Sequence, residues 1–264
     1  MYVGVFLLGV FKWNGQNWTL IGNITRAQIV SMAYSQYSNC LYVGGGSNPL
    51  SINSISSQIV KFDLNNSIWS NVGGGINSGN GITSIVTDVD TNNVVVGGYF
   101  QMVGSNNISA NYIAIWNESS NSWSSFPGAD QTISQYVKSL FYDKSSQKLF
   151  VNSIFAPTYP ATYGSIPGSL VTFWDGSWST FTVPLVFQAQ ITSITYDPNN
   201  KIVYVGGTFY QAGNNFGTTN IAGWDGQNWI ALENGIGAPP NCIAFNTVDN
   251  YLYVGGSFSK VPPT

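Results

Sequence analysis

One short pattern returns five times in this chain, at intervals of about 50 residues. It reads LYVGG at Leu41–Gly45, VVVGG at Val94–Gly98, LFVNS at Leu149–Ser153, VYVGG at Val203–Gly207 and LYVGG again at Leu252–Gly256. Met1–Gly4 looks like a worn further copy. Whatever the chain folds into must therefore place the same unit repeatedly in the same environment.

The cleanest unit is Ile191–Leu232. Its segment a, Ile191–Tyr196, is β-branched and aromatic, and the polar turn DPNNK joins it to segment b, Ile202–Phe209. A longer polar loop leads to segment c, Ile221–Trp224. Asp225-Gly226, a hairpin signal, then leads to segment d, Trp229–Leu232. Segment a returns at Gln28–Tyr34, Ile82–Asp88, Val137–Asp143 and weakly at Cys242–Asn246. Segment c returns at Phe11–Gly15, Val60–Leu64, Ile113–Asn117 and Val171–Gly176. All nine tryptophans fall in c or d. Their repetition assigns them to packing between neighbouring units rather than to a ligand platform. The glycine pair after b is expected to let the backbone leave the strand through conformations that a Cβ would block.

Four short strands per unit, joined by hairpins and without helical periodicity, predict an all-β fold. The architecture they specify is a β-propeller, each blade a twisted antiparallel sheet. A solenoid is the runner-up, against which a hairpin every ten residues or so argues. The chain opens with the worn b, then c and d, passes through four complete units and stops after a last a and b. Combining the ends predicts about five four-stranded blades in a single domain, 1–264, with the ring closed by N- and C-terminal strands that share one blade. The alternative is a segment of a longer array, since Val261-Pro-Pro-Thr stops where a b–c loop should begin.

Hydrophobic residues make up 44% of the chain and aromatics 15%, enough for a substantial core, while charged residues make up only 7%. A net charge of −3 spread over so few groups offers no basic face for nucleic acid. No apolar run is long enough to span a membrane, and Met1–Phe11 lacks the basic flank and cleavage site of a signal peptide. Five N-x-[ST] triplets, at Asn17, Asn23, Asn65, Asn107 and Asn117, are candidate glycosylation sites. With the low charge they point to an extracellular or cell-surface protein, although an Asn/Ser-rich chain also makes such triplets by chance.

The set LYVGGxF…NIAxWDGxxWxxL, at Leu252–Phe258 and Asn220–Leu232, resembles the kelch and galactose-oxidase type of propeller. It looks closer still to the fungal cortical polarity-marker proteins of bud-site selection. That resemblance implies a glycosylated cell-surface protein with a propeller-like ectodomain. It covers essentially the whole chain, and its motifs specify the blade rather than a job. The polarity markers carry a transmembrane anchor, and this chain contains none.

Histidine is absent, which removes galactose-oxidase-like copper chemistry, His-based zinc or iron sites and a Ser/His triad. No catalytic residue, metal site or cofactor is expected. Glu118 and Glu233 are the only glutamates, and with Asp130 they are the only carboxylates eligible for a glycosidase pair. Asp88, Asp143 and Asp197 recur in a–b turns, and Asp63, Asp175 and Asp225 in c–d turns, where turn chemistry accounts for them. Asp88-Val-Asp90 suggests a calcium loop only faintly, without the downstream acid.

The a–b and c–d turns should share one end of the blades, and the longer b–c and d–a loops the other. Tyr159, Tyr163, Tyr210 and Phe216 lie in long loops outside the repeat pattern and are the candidate ligand-binding residues. The expected function is non-enzymatic recognition or structure, with a protein or glycan partner. The alternative is a carbohydrate-binding or carbohydrate-active propeller. Cys40 and Cys242 would fall in adjacent blades of a closed ring but at opposite ends of their strands. A strand spans roughly 17–20 Å and a disulfide tolerates only about 4.4–6.8 Å between Cα atoms, so two free, largely buried thiols are expected.

Overall fold

The computed structural model describes residues 1–5, 9–24, 27–77, 79–88, 90–155, 168–180, 185–186, 190–213 and 217–258. They form two compact units, Met1–Val137 and Lys138–Thr264.

In the first unit an opening sheet pairs Tyr2–Val5, Gly9–Trp13 and Trp18–Gly22. A complete sheet follows, with strands Ile29–Ser35, Cys40–Gly45, Ile59–Asp63 and Ile68–Asn71 in the order a-b-c-d. The next runs through Gly79–Asp88, Asn93–Phe100, Ile113–Asn117 and Ser122–Ser125. In the second unit one complete sheet holds Val137–Asp143, Lys148–Phe155, Gly168–Trp174 and Trp178–Thr180. Another holds Gln190–Asp197, Ile202–Thr208, Ile221–Trp224 and Trp229–Ala231. Pro240–Asn246 and Tyr251–Gly256 make a closing pair. The one helix among the described residues, Ala129–Thr132, is a single turn in a d–a connection.

Tight turns are closed by side chains that mimic backbone. Asp63 Oδ1 accepts from the N–H groups of Asn65 and Asn66, Asp197 Oδ1 from those of Asn199 and Asn200, and Asp225 Oδ1 from those of Gln227 and Asn228. Asn14 does the same for Gln16 and Asn17. The recurrent acids are thus turn formers.

The glycine pair does something other than expected. It stays inside the b strand, and neither member adopts a left-handed conformation. Opposite it, strand a carries a β-bulge in each case: between Ile29 and Ser31, Ile82 and Ser84, Ile191 and Ser193, and Pro240 and Cys242. The bulge pushes backbone toward the glycines. A Cβ on Gly98 would stand 2.3 Å from the Gly81 oxygen, and one on Gly207 2.0 Å from the Gln190 oxygen. The other glycine of each pair admits the following sheet: a Cβ on Gly44 would meet Ile82 at 2.8 Å, and one on Gly206 Pro240 at 2.6 Å.

Bulge-side hydroxyls then join successive a strands within each unit. Ser31 Oγ accepts from Ile85 N–H at 2.9 Å, and Ser193 Oγ from Ile243 N–H at 3.1 Å. Thr192 Oγ1 donates to the Pro240 carbonyl at 2.7 Å.

Within each unit the core consists of apolar layers between consecutive sheets. Leu41, Val43 and Phe62 pack toward the opening sheet with Val10, while Tyr42 and Cys40 pack with Ile82, Ile85 and Trp116 of the following one. Aromatic rings sit directly opposite each other across strands c and d. The pairs Trp13/Trp18, Trp116/Trp123, Trp174/Trp178 and Trp224/Trp229 have centroids 5.2, 5.4, 5.5 and 5.2 Å apart. Phe62/Trp69 takes the same register at 5.0 Å. In the first unit these rings also reach backward. Trp69 Nε1 donates to the Ile21 carbonyl at 2.7 Å, and Trp123 Nε1 to that of Val72 at 3.1 Å. Trp69 is 6% exposed, whereas Trp18, in a sheet with no predecessor in its unit, is 45% exposed.

The worn b of the sequence is a b strand in the structure: Tyr2–Val5 pairs with Gly9–Trp13 from Tyr2↔Lys12 to Val5↔Gly9. One expectation about the cysteines needs correction. Cys40 and Cys242 are both free, but only Cys40 is buried. Cys242 replaces the bulge serine, as in Ser31 and Ser193, on a sheet whose b strand has one described neighbour. The same LYVGG that buries Tyr42 completely leaves Tyr253 54% exposed.

Candidate recognition surface

Connectors separate into two ends within each unit. At one end a–b turns meet c–d turns: Asn39 Nδ2 donates to Asn65 Oδ1, and Asn92 Nδ2 to Ser119 Oγ. Glu118 belongs to this end. It is 9% exposed, and its two carboxylate oxygens accept hydrogen bonds from Ser35 (2.6 Å), Ser38 and Tyr42 (2.9 Å). Burial, and then the neighbouring carboxylate, push the Tyr42 hydroxyl well above its ordinary pKa, so it remains a donor. The cage spends both oxygens of Glu118 on joining one sheet to the next.

At the other end b–c loops meet d–a connectors. In the first unit Ile76 bridges Val103, Asn77 N–H donates to the Met102 carbonyl, and Asn77 Nδ2 donates to Gly104 and Asn107. Asn111 Nδ2 donates to the Ile133 carbonyl. In the second unit Asn220 Nδ2 donates to Ile236. Two of the long loops carry small hairpins of their own, Leu50–Ile52 with Ile55–Ser57 and Met102–Val103 with Ile108–Ser109.

Of the four candidate ligand-binding residues, Tyr210 is 79% exposed beside the short strand Gln211–Ala212. Tyr159, Tyr163 and Phe216 lie outside the described residues. An aromatic pair that sequence reasoning missed stands at the loop end of the first unit. Tyr99 and Tyr136 stack with centroids 3.8 Å apart and planes 23° from parallel, both half-buried. Burial and the hydrogen bond between them push the Tyr99 hydroxyl up. Gln101 Nε2 reaches Tyr112 Oη at 3.4 Å nearby in sequence, and Met102 is exposed. The available signal was the residue after the glycine pair. It is Tyr99 here, but Thr208 and Ser257 in the matching positions.

A cleft of about 330 Å³ opens along the rim of the first unit. Gly73, Gly74 and Gly104 line it together with Trp116 and Trp123, and polar side chains come from Ser105, Asn106, Asn121 and Ser122. Gly73, Gly74 and Gly75 have consecutive positive φ values of 51°, 85° and 78°. A Cβ on Gly73 would stand 2.2 Å from the Trp116 ring, and one on Gly74 2.3 Å from Ser105 Oγ. The Trp116 indole N–H lies near enough to Tyr42 to influence it, yet finds no aligned acceptor.

The carboxylates do not assemble a catalytic pair that the described contacts reveal. Glu118 is caged, Asp130 is exposed in the first turn of the short helix, and Glu233 is exposed at φ 54°. Among the described residues no three Cys, Asp or Glu side chains gather as a metal site, and no helix is long and apolar enough to cross a membrane. Four candidate glycosylation sites, Asn17, Asn23, Asn65 and Asn107, are exposed. Asn117 is half-buried, and its amide is engaged: Nδ2 donates to Asn93 and Oδ1 accepts from Ser120.

No protein-family model matches the sequence, and no curated protein matches it. Solved structures do. A chain from the "Crystal structure of Nidogen/Laminin Complex" superposes with a TM-score of 0.53 at 9% identity, over 93% of this chain and 80% of that one. At that identity the likeness concerns fold alone, and with the repeated antiparallel sheets it makes the fold an all-β β-propeller type.

Proposed function

We propose that the chain is a non-enzymatic recognition or structural module of the extracellular space or cell surface, presenting rigid loops at one end of a β-propeller scaffold to a protein partner. The observation that carries this reading is the Tyr99–Tyr136 stack. The repeated tryptophans, glycines and aspartates are occupied by packing and turns. Tyr99 takes the variable position after a glycine pair and Tyr136 lies outside the repeat, both half-buried at a loop end where connectors hydrogen-bond to one another. Tyrosine offers large, amphipathic contact area at low entropic cost, which suits interfaces. Exposed Met102, in the b–c loop of the same unit, adds adaptable apolar contact area.

The extracellular assignment draws on four exposed N-x-[ST] asparagines and on the charge-poor surface. The motif resemblance to kelch-type propellers and to the fungal polarity markers supports it too. The similar solved structure is that of a nidogen/laminin complex. Enzymatic chemistry has little to work with: the chain has no imidazole, and Glu118 is enclosed by hydroxyls.

Chemical cross-linking of the recombinant chain at the surface of cells from its source tests the reading. Gln101→Ala with Met102→Ala should abolish a defined cross-linked partner that Asn66→Ala with Ser120→Ala, at the turn end of the same unit, retains. Equal loss with both variants, or turnover of a glycan substrate by the wild-type chain, would refute it.

A further inference from the structure

We propose that the rim cleft of the first unit, walled by its d–a connector and b–c loop and reaching the following c–d turn, is a binding site for a single neutral saccharide unit. Its lining sets the chemistry. No charged side chain borders it, so neither an anion nor a cation would find a counter-charge to offset its desolvation. The lining is not apolar either. Ser105, Asn106, Asn121 and Ser122 place two amides and two hydroxyls, all on exposed residues, around an apolar floor made by half-buried Ile108 and the narrow exposed edges of the otherwise buried Trp116 and Trp123.

Neutral hydroxyl-rich ligands with apolar C–H faces need this mixture: amides to donate and accept, and aromatic carbon for the ring edge. A volume of about 330 Å³ sits at the small end of ligand pockets, which limits the occupant to one sugar ring or a similar fragment.

Two features mark the cleft as built. Three successive left-handed glycines hold its wall, where any side chain at Gly73 or Gly74 would collide with Trp116 or Ser105. The wall is fixed by Gly75 N–H to Val72, Gly104 N–H to Gly75 and Trp123 Nε1 to Val72. Asn106 and Asn121 meanwhile leave their amides free of turn duty, in contrast to Asn14, Asp63 and Asp225, whose side chains close their own turns. The glycine wall is not repeated in every blade. In the other unit the connector after Trp229–Ala231 reads Leu232-Glu-Asn-Gly-Ile, which puts Glu233 where Gly73 stands.

The test uses protein made without N-glycosylation, so that no glycan on Asn107 can cover the neighbouring cleft. Galactose, mannose and N-acetylglucosamine, with glucuronate as a charged control, are titrated by tryptophan fluorescence and by calorimetry. A neutral sugar should bind saturably at one site. Asn106→Ala with Asn121→Ala should weaken it by about tenfold or more at an unchanged Tm, while Tyr210→Ala leaves it intact. Absence of saturable binding by every neutral sugar, binding unaffected by the double substitution, or preference for glucuronate would overturn the assignment. None of these outcomes bears on the loop-end reading, which depends on other residues.

Discussion

Tyr42 donates a 2.9 Å hydrogen bond to Glu118, 76 residues further along the chain. The bond ties the b strand of one sheet to the c–d turn of the next. Ser35 and Ser38 complete the cage. A buried carboxylate that has exchanged water for three hydroxyls depends on each of them.

Removing the acceptor is therefore expected to cost more than removing one donor. Glu118→Ala leaves three buried or half-buried hydroxyls without their partner and should destabilise by roughly 2–4 kcal/mol. Tyr42→Phe should cost about 1–2 kcal/mol. Urea unfolding of both variants measures the difference, and equal midpoints would contradict the cage.

The same tyrosine makes a pH prediction. Its folded-state pKa is raised above the ordinary value of 10.0, so the folded state holds a proton that the unfolded chain releases. The stability is fully present below about pH 10 and declines as pH rises from there toward the folded pKa. Tyr42→Phe should flatten part of that alkaline decline in Tm, and an unchanged slope would show that Tyr42 is not its source.

Two glycines separate collision from strain. Gly73→Ala meets the Trp116 ring at 2.2 Å with φ at 51°, whereas Gly226→Ala, at φ 100°, meets nothing within 4 Å. The first should cost more than about 3 kcal/mol and the second about 1 kcal/mol, read by chemical denaturation.

Asp225 and Asn14 close equivalent turns with the same bonds. Asp225→Asn should keep the turn and leave Tm nearly unchanged, while Asp225→Ala lowers it. Backbone N–H groups of Asn228 and Gln227 hold the Asp225 carboxyl below its ordinary pKa. Its contribution is therefore present above the unfolded value of 3.8 and lost as pH falls through the folded one. The asparagine variant should lack that acid-side loss in a pH series of Tm values.

Strand content and turn chemistry were legible because they are local. The period, the Asn-Gly and Asp-Gly hairpins and the Trp pairs fix four strands per unit. What the glycine pair does was not legible, because its reason lies in a bulge on a neighbouring strand and in Ile82 or Pro240 of the next sheet. The role of Tyr2–Val5 was legible even in a worn copy, and its pairing with Gly9–Trp13 bears out the reading as a b strand. Glu118 carried no signal of burial, since its three donors arrive from a different blade. Tyr99 differed from Thr208 and Ser257 in the sequence, but its stacking partner Tyr136 sits in a d–a loop that no repeat marks.

The account rests on repeated residues building the scaffold while residues outside the repeat face partners. Thermal unfolding of Trp123→Ala beside Tyr210→Ala tests that division most directly. Loss of a buried indole that bonds Val72 should cost about 3–5 kcal/mol and lower Tm by roughly 10 °C or more. Loss of the exposed Tyr210 should stay within about 0.5 kcal/mol. A Trp123→Ala protein that melts with the wild type would contradict the account.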